Sequence, residues 1–322
     1  MRRPLAVLAA ALVLAGAAAC GSTGPRVSAQ PFVLPDLAVG FGGLAVTADG
    51  TVVVVGQKGI TTVDPTTLAI TGTTGGSGFE KVTTGSDAGH VFLLDSSAGL
   101  EQLDLRTHLV TVRLPARSTI ELPTELLCVC AGGTLLFGAN ATHSNLTVID
   151  LPAARIATTI TMPPALRSAA VVVADGSRIY QLPPQTVGGP FDVPVSAVDV
   201  ATGKSTPVPG TEGAQSLALS ADGPRIWVIG VNGLAVIDGA GNSARRVTRS
   251  SPGGGEFVGS PDGRVLAGTD LPDHVTLIDT ADGSEIASVP VGGFPRALAF
   301  APDSSRLWVG TDKGLVGVPL GP

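Results

Sequence analysis

The sequence predicts an all-β fold built from repeated four-stranded units. Three observations support this prediction. An apolar strand that ends in Asp recurs about every 40 residues, tight turns separate short apolar runs, and the two ends of the chain complement each other. The repeating residues are Asp64, Asp104, Asp150, Asp199, Asp238 and Asp279. A period of this length built from short strands indicates radial or linear repetition of one supersecondary unit.

Each unit is expected to contain four strands. The first is apolar and leads into a turn, as in Leu217-Ala-Leu-Ser-Ala-Asp-Gly223, and Asp-Gly between apolar runs is a strong hairpin signal. The second strand carries a large side chain, the third ends at the repeating Asp, and the fourth follows another tight turn. Seven units result, with predicted starts at Gly42, Glu80, Glu125, Ser168, Gln215, Gly255 and Arg296.

The first and last units are incomplete in complementary ways. The seventh unit lacks a fourth strand, and a spare strand, Pro31-Phe-Val-Leu-Pro35, precedes the first. If the spare strand completes the last unit, the ring closes and no open sheet edge remains. The sequence therefore predicts a monomeric seven-bladed β-propeller whose ring is closed by an N-terminal strand. A linear β-solenoid is the alternative, although its coils are shorter and would not need this exchange.

Two segments resemble the YVTN family of seven-bladed propellers. They are Asp279 to Asp303, which holds the run Val-Pro-Val-Gly-Gly-Phe, and Arg306-Leu-Trp-Val-Gly310. The resemblance covers residues 31–322 and is strongest over 214–322. It implies placement at the cell surface or envelope and interactions through the repeats, and it carries no fixed catalytic set.

The N-terminus is predicted to be an export signal. Residues 1–19 have a basic start and a short apolar run from Leu5 to Ala15. Small residues then precede Cys20, which resembles a bacterial lipobox and implies diacylation of Cys20 after cleavage. An ordinary secretory signal is the alternative, because Ala17 and Ala19 also fit its cleavage pattern.

Three segments follow from this interpretation. Residues 1–19 are a lipoprotein signal peptide, 20–30 are the lipidated Cys and a flexible tether, and 31–322 form the propeller. The protein would be anchored by its lipid to the outer face of the bacterial cell membrane.

The charge balance excludes some classes of partner. Without residues 1–19, the chain keeps 18 Lys and Arg against 26 Asp and Glu, a balance of −8. Nucleic acid requires a basic footprint, so no nucleic-acid partner is expected. The same balance argues against electrostatic docking on anionic lipid.

The entry positions of the first strands are predicted to converge on one mouth of the central channel. This mouth lies on the upper face, which we define as the face that carries the turns from second to third strands and from fourth strands to the next first strand. The candidate ligand-binding residues there are Glu80, Glu125, Arg167, Gln215, Glu256 and Arg296. Guanidinium and carboxylate groups would suit a small polar ligand or a peptide end. Alternatively, these residues satisfy one another around a water-filled mouth.

Extra chain length also falls on the upper face. The spacing of the units grows around residues 115–123 and 182–194, which are rich in proline. Insertions confined to one face of a repeat protein usually mark its binding face. Neutral growth of the loops is the alternative.

No metal site or cofactor is predicted. Asp before Gly in a turn hydrogen-bonds its own backbone, and no Asp-x-Asp-x-Asp loop suits calcium. Cys128 and Cys130 are expected to be two small buried thiols, because a bridge between them on a flat strand would be strained. A disulfide between them is the alternative.

The leading hypothesis is a non-catalytic interaction module of the envelope that binds a protein, peptide or small polar ligand through its upper face. A lactonase- or lyase-like propeller enzyme is the alternative. In that case Glu80, Glu125 and Arg296 would act as base, acid and oxyanion stabiliser. A purely structural envelope protein is the third possibility.

Overall fold

The computed structural model describes most of the predicted propeller. The described residues are 24–35, 37, 43–56, 59–76, 79–85, 87–95, 97–116, 123, 125–130, 132–140, 145–162, 170–182, 193–219, 225–238, 243–248 and 255–321. The predicted signal peptide and Cys20 lie outside these residues. Within them, no helix is long and apolar enough to cross a membrane.

The described residues form strands throughout and no helix. The chain begins with β1 (Arg26–Val27) and β2 (Phe32–Leu34). Blade 1 contains β3 (Gly43–Val46), β4 (Val52–Gly56), β5 (Gly59–Val63) and β6 (Ile70–Gly75). Blade 2 contains β7 (Phe79–Thr84), β8 (His90–Asp95), β9 (Gly99–Asp104) and β10 (Leu109–Pro115). Blade 3 contains β11 (Glu125–Cys130), β12 (Leu135–Asn140), β13 (Asn145–Asp150) and β14 (Arg155–Thr161).

The remaining blades repeat the pattern. Blade 4 contains β15 (Ala170–Val172), β16 (Arg178–Gln181), β17 (Ser196–Asp199) and β18 (Ser205–Pro207). Blade 5 contains β19 (Ala214–Leu219), β20 (Arg225–Gly230), β21 (Gly233–Asp238) and β22 (Ala244–Thr248). Blade 6 contains β23 (Phe257–Gly259), β24 (Val265–Asp270), β25 (His274–Asp279) and β26 (Glu285–Pro290). Blade 7 contains β27 (Pro295–Phe300), β28 (Arg306–Thr311) and β29 (Leu315–Gly321).

These strands form seven antiparallel sheets arranged as a propeller, which confirms the predicted fold class. In each blade the strands lie side by side in chain order. The first strands of neighbouring blades contact one another all the way around the ring, and the last contact joins β27 to β3.

The N-terminal strands close the ring at blade 7, as predicted. β2 pairs antiparallel with β29, and the paired residues include Phe32 with Gly317 and Leu34 with Leu315. β1 extends this pairing, since Arg26 lies opposite Gly321. Pairing therefore begins at Arg26, within the segment that the sequence assigns to the tether. We call the junction of blade 7 with blade 1 and these strands the seam.

The core lies between the blades and depends on the large side chain of each second strand. Tyr180 and Trp308 have no exposed surface, and Trp227 is 2% exposed. Trp227 and Trp308 each lie opposite a small residue of the first strand, Ala218 and Ala299. A small residue next to a bulky one lets adjacent sheets approach closely. Removing such apolar surface from water is the main favourable term in folding.

A glycine in β29 makes room for an aromatic ring at the seam. A Cβ atom added to Gly317 would lie 2.2 Å from the Phe32 ring. That ring packs edge-on against Trp308, with 5.7 Å between centroids. Position 317 therefore needs a residue without a side chain.

We expect Gly317→Val to destabilise the fold by about 1–3 kcal/mol, because it overpacks the Phe32 site. Gly75→Val is the matched control. Gly75 also lies in a strand, nothing lies within 4 Å of its Cβ position, and valine suits strands. Urea unfolding of both variants measures the difference, and equal stabilities would contradict this packing.

Repeating aspartates such as Asp64 and Asp199 hydrogen-bond their own turns. The carboxylate of Asp64 accepts bonds from the backbone N–H groups of Thr66 and Thr67, at 2.8 and 2.7 Å. Asp199 accepts bonds from both the N–H and the hydroxyl of Thr202. These hydrogen bonds favour the ionised form and lower the pKa of both carboxyls. The aspartates thus shape turns on the lower face, opposite to the upper face.

Cys128 and Cys130 form a disulfide, which corrects the expectation of two free thiols. Their Cα atoms lie 5.8 Å apart, within the usual range for a disulfide. The expectation assumed a flat strand, but the pairing of β11 with β12 shifts between Leu126 and Cys128. Such a bulge bends the strand and increases its twist, so the geometry of a flat strand does not apply.

Candidate functional site

Three of the predicted channel-mouth residues occupy equivalent places in the first strands of their blades. Glu80, Gln215 and Arg296 each lie at a β-bulge, where the pairing with the second strand skips one residue. Each lies three residues before the first-strand residue that pairs with the large side chain of the second strand. The repeat therefore brings these three to one level of blades 2, 5 and 7. In blade 6 the corresponding pair is Val258 with Ala267, and Glu256 lies one position closer to it than this level.

Glu125 does not share this level. Counted from the repeating Asp, Phe137 of blade 3 corresponds to Trp227 of blade 5, and it pairs with Cys128. Glu125 pairs with Ala139, at the level that Ser216 and Ala297 occupy in blades 5 and 7. The bulge of β11 lies two residues later than those of blades 2, 5 and 7, so Glu125 is paired where they leave a residue unpaired.

The described side chains at or next to this level differ in exposure. Gln215 and Arg296 are half-buried, whereas Glu256 is exposed. The guanidinium carbon of Arg296 lies 5.6 Å from the centroid of the Phe294 ring, a favourable cation–π distance. Arg167 and the side chains of Glu80 and Glu125 lie outside the described residues.

The upper face also presents large apolar side chains, which the sequence analysis missed. Val193, Val231, Leu271 and Phe294 are 45, 46, 59 and 44% exposed. They lie in the upper turns of blades 4, 5 and 6 and in the turn that leads into blade 7. A sequence signal existed: an apolar residue stands at each of these turn positions, where polar residues are usual.

Hydrogen bonds hold the turn that carries Phe294. The Asp312 carboxylate accepts a bond from the Phe294 backbone N–H at 2.8 Å. The Asp312 N–H donates in turn to the Phe294 carbonyl at 3.3 Å. The backbone that carries the exposed ring is therefore held at the upper end of blade 7.

The surroundings of these apolar residues are acidic. Among the described residues, the upper turns and strand entries of blades 5 to 7 carry Glu212, Glu256, Asp270, Asp273 and Asp312, against Arg296, Lys313 and Arg246, which lies beside Glu212. A surface with an excess of carboxylates attracts basic partners and repels acidic ones.

Two carboxyls are buried together in blade 2. Asp95 and Glu101 are 6 and 7% exposed. Burial, and then the charge of Asp95, raise the pKa of Glu101. Burial also acts on Asp95, but hydrogen bonds from Ser97 and Ala98 outweigh it and lower its pKa.

We expect Glu101→Gln to stabilise the protein at pH 7 by about 0.5–2 kcal/mol, the range typical of a favourable charge change. Because the pKa of Glu101 is raised in the folded state, its ionisation costs stability as the pH rises above the unfolded value. The gain should vanish near pH 3, where the carboxyl is protonated in both states. Thermal unfolding at the two pH values tests this, with exposed Glu285→Gln as the control. A gain that is the same at both pH values would contradict the assignment.

His90 and His274 lie apart from this level. His90 begins β8 beside a lower turn, and its Nδ1 lies 3.0 Å from an Asp87 oxygen. His274 begins β25 at an upper turn, with Nδ1 2.8 Å from Asp273. Among the described residues, no three His, Cys, Asp or Glu side chains are grouped as a metal site requires.

Comparison with known proteins supports the fold alone. No family model matches the sequence, and no curated protein matches it. Hydrazine synthase of Kuenenia stuttgartiensis is similar in structure, with a TM-score of 0.68 and 16% identity over 88% of this chain and 96% of that one. A chain of the mitotic checkpoint complex has a TM-score of 0.69 and 12% identity over 98% of both chains. The propeller is therefore shared by proteins in different roles.

Proposed function

We propose that this protein is an interaction module of the bacterial envelope that captures a protein or peptide on its upper face. The YVTN-like segments and the lipobox-like Cys20 support the placement. The observation that carries the proposal is the row of exposed apolar side chains along four consecutive units, Val193, Val231, Leu271 and Phe294. Apolar groups that share one face of a soluble protein often mark an interaction site.

The chemistry of these four side chains and their neighbours indicates which kinds of residue a partner would present. Apolar anchors that lie among carboxylates suit a segment with apolar and basic residues. Arg296 beside Phe294 and Gln215 on β19 add polar groups that fix orientation. A small polar ligand at the channel mouth remains compatible with the same residues.

We do not extend the proposal to catalysis. The enzyme alternative needs Glu80, Glu125 and Arg296 to act together on one substrate. Glu125 stands one position away from the level of the other two, which counts against this trio.

Site-specific photocrosslinking in cells tests the proposal. A photoreactive residue at Phe294 should give a defined adduct, and Leu271→Ser should reduce its yield several-fold because it removes a neighbouring apolar anchor. Higher salt should weaken the same adduct, since opposite charges contribute to binding.

The matched control uses apolar residues that are equally exposed elsewhere. Ile70 and Leu109 are 54 and 66% exposed and begin the fourth strands of blades 1 and 2. A photoreactive residue at Leu109 should give no such adduct, and Ile70→Ser should leave the adduct at 294 unchanged. The same adduct from both positions would refute binding on the upper face.

Placement in the envelope has its own test. Cys20→Ser should abolish incorporation of a labelled fatty acid and release the protein from the membrane fraction. Continued membrane association of the unlabelled variant would contradict the lipid anchor.

A further inference from the structure

The seam contains a cavity on the lower face, away from the proposed docking surface. Its volume is about 440 Å³, within the range of small-molecule sites. Blade 1 contributes Asp49 and Pro65 to its lining, and blade 7 contributes Asp303, Arg306 and Trp308. Because two blades from opposite ends of the chain form its walls, the cavity exists only in the closed ring.

Two exposed carboxylates from different blades line this cavity. Asp303 uses its Oδ1 to accept bonds from the N–H and hydroxyl of Ser305. Asp49 uses its Oδ1 in the same way with Thr51 and Thr47. Both carboxylates are exposed where they line the cavity, so they can face a cation. Ser305 lowers the pKa of Asp303, and the bonds to Asp49 outweigh its burial and lower its pKa too, so both are charged at neutral pH.

Arg306 forms a fixed cationic wall. Its Nη1 donates to the Pro65 carbonyl at 2.7 Å, which links blade 7 to blade 1. Its guanidinium carbon lies 5.0 Å from the centroid of the Trp308 ring and 5.1 Å from that of Phe32. These contacts hold the guanidinium in place. Its one positive charge and the two negative charges of Asp49 and Asp303 leave the cavity with one net negative charge.

We propose that the seam cavity binds a free basic amino acid or a zwitterion of similar charge. Its ammonium groups would lie against Asp49 and Asp303, and its carboxylate would pair with the guanidinium of Arg306. A ligand with a net charge of +1 matches the excess negative charge of the cavity. This site is independent of docking on the upper face.

Calorimetric titration of the purified mature protein with L-lysine tests the inference. We expect saturable binding that Asp303→Asn weakens at least tenfold. Asp175→Asn is the matched control: Asp175 accepts the same pair of bonds from Ser177, in blade 4, and does not line the cavity. Asparagine keeps the turn in both variants because its side-chain oxygen still accepts.

Ligands that lack the carboxylate or the ammonium groups test the cationic and the anionic sides of the cavity separately. 1,5-Diaminopentane lacks the carboxylate and should bind at least tenfold more weakly than L-lysine, while 1,5-pentanediol should not bind. In a Trp227→Phe background Trp308 is the only tryptophan, so its fluorescence should change with the same dissociation constant. The inference is overturned by an absence of binding at about 10 mM L-lysine, or by equal affinities of the two Asp→Asn variants.

Discussion

A chain that begins at Pro35 is expected to self-associate and to melt at least about 10 °C below a chain that begins at Gly24. The shorter chain lacks β1 and β2, which pair with β29 along residues Leu315 to Gly321. Its blade 7 would expose a row of unpaired backbone groups, and open strand edges recruit other chains. It would also lose the Phe32 ring, which packs on Trp308.

Differential scanning calorimetry and light scattering of the two chains measure this effect. A synthetic peptide of residues 24–35 added to the shorter chain should restore the monomer and raise its melting temperature. The role of the N-terminal strands would be refuted by a shorter chain that is monomeric and melts within about 2 °C of the longer one, a difference worth only about 1 kcal/mol.

Trp308→Ala is expected to destabilise the protein by about 3–5 kcal/mol, the usual cost of deleting a buried aromatic side chain. Trp308 has no exposed surface and packs with Val52, Val54 and Leu315, which come from blades 1 and 7. Its loss would leave a void at the one junction that the chain ends must hold together. Arg306, which stacks on the ring, would also lose part of its support.

Trp308→Phe is the control, because it keeps an aromatic ring and most of the volume. We expect this variant to lose less than about 1.5 kcal/mol. Urea unfolding compares the stabilities of the two variants, followed by a signal that does not depend on tryptophan. If alanine and phenylalanine prove equally tolerated, Trp308 does not hold the seam.

The repeat was predictable because each unit contains the same local chemistry. The aspartates that end the third strands, such as Asp64 and Asp199, form side-chain-to-backbone bonds within three residues. Because the partners are so close in the chain, such bonds can be recognised from the spacing of residues in the sequence. Closure by Phe32 to Leu34 was predictable for a different reason, since a missing strand and a spare one could be matched by counting.

Features that depend on register or on distant contacts were harder to predict. A bulge that lies two residues later in β11 moved Glu125 off the level of Glu80, and it bends the strand that carries Cys128 and Cys130. No propensity rule places a bulge to within one residue. The seam cavity was inaccessible to sequence reasoning because Asp49 and Asp303 are 254 positions apart and each looks like an ordinary turn residue.

The direction of the N-terminal strands sets which way the ring faces if Cys20 carries a lipid. Arg26 pairs with Gly321 at the lower end of blade 7, and Leu34 pairs with Leu315 at the upper end, so the chain enters from below. The six residues from Cys20 to Arg26 span at most about 20 Å. The lower face would then be held close to the bilayer, and the surface around Phe294 would point away from the membrane, toward partners that approach from outside the cell membrane.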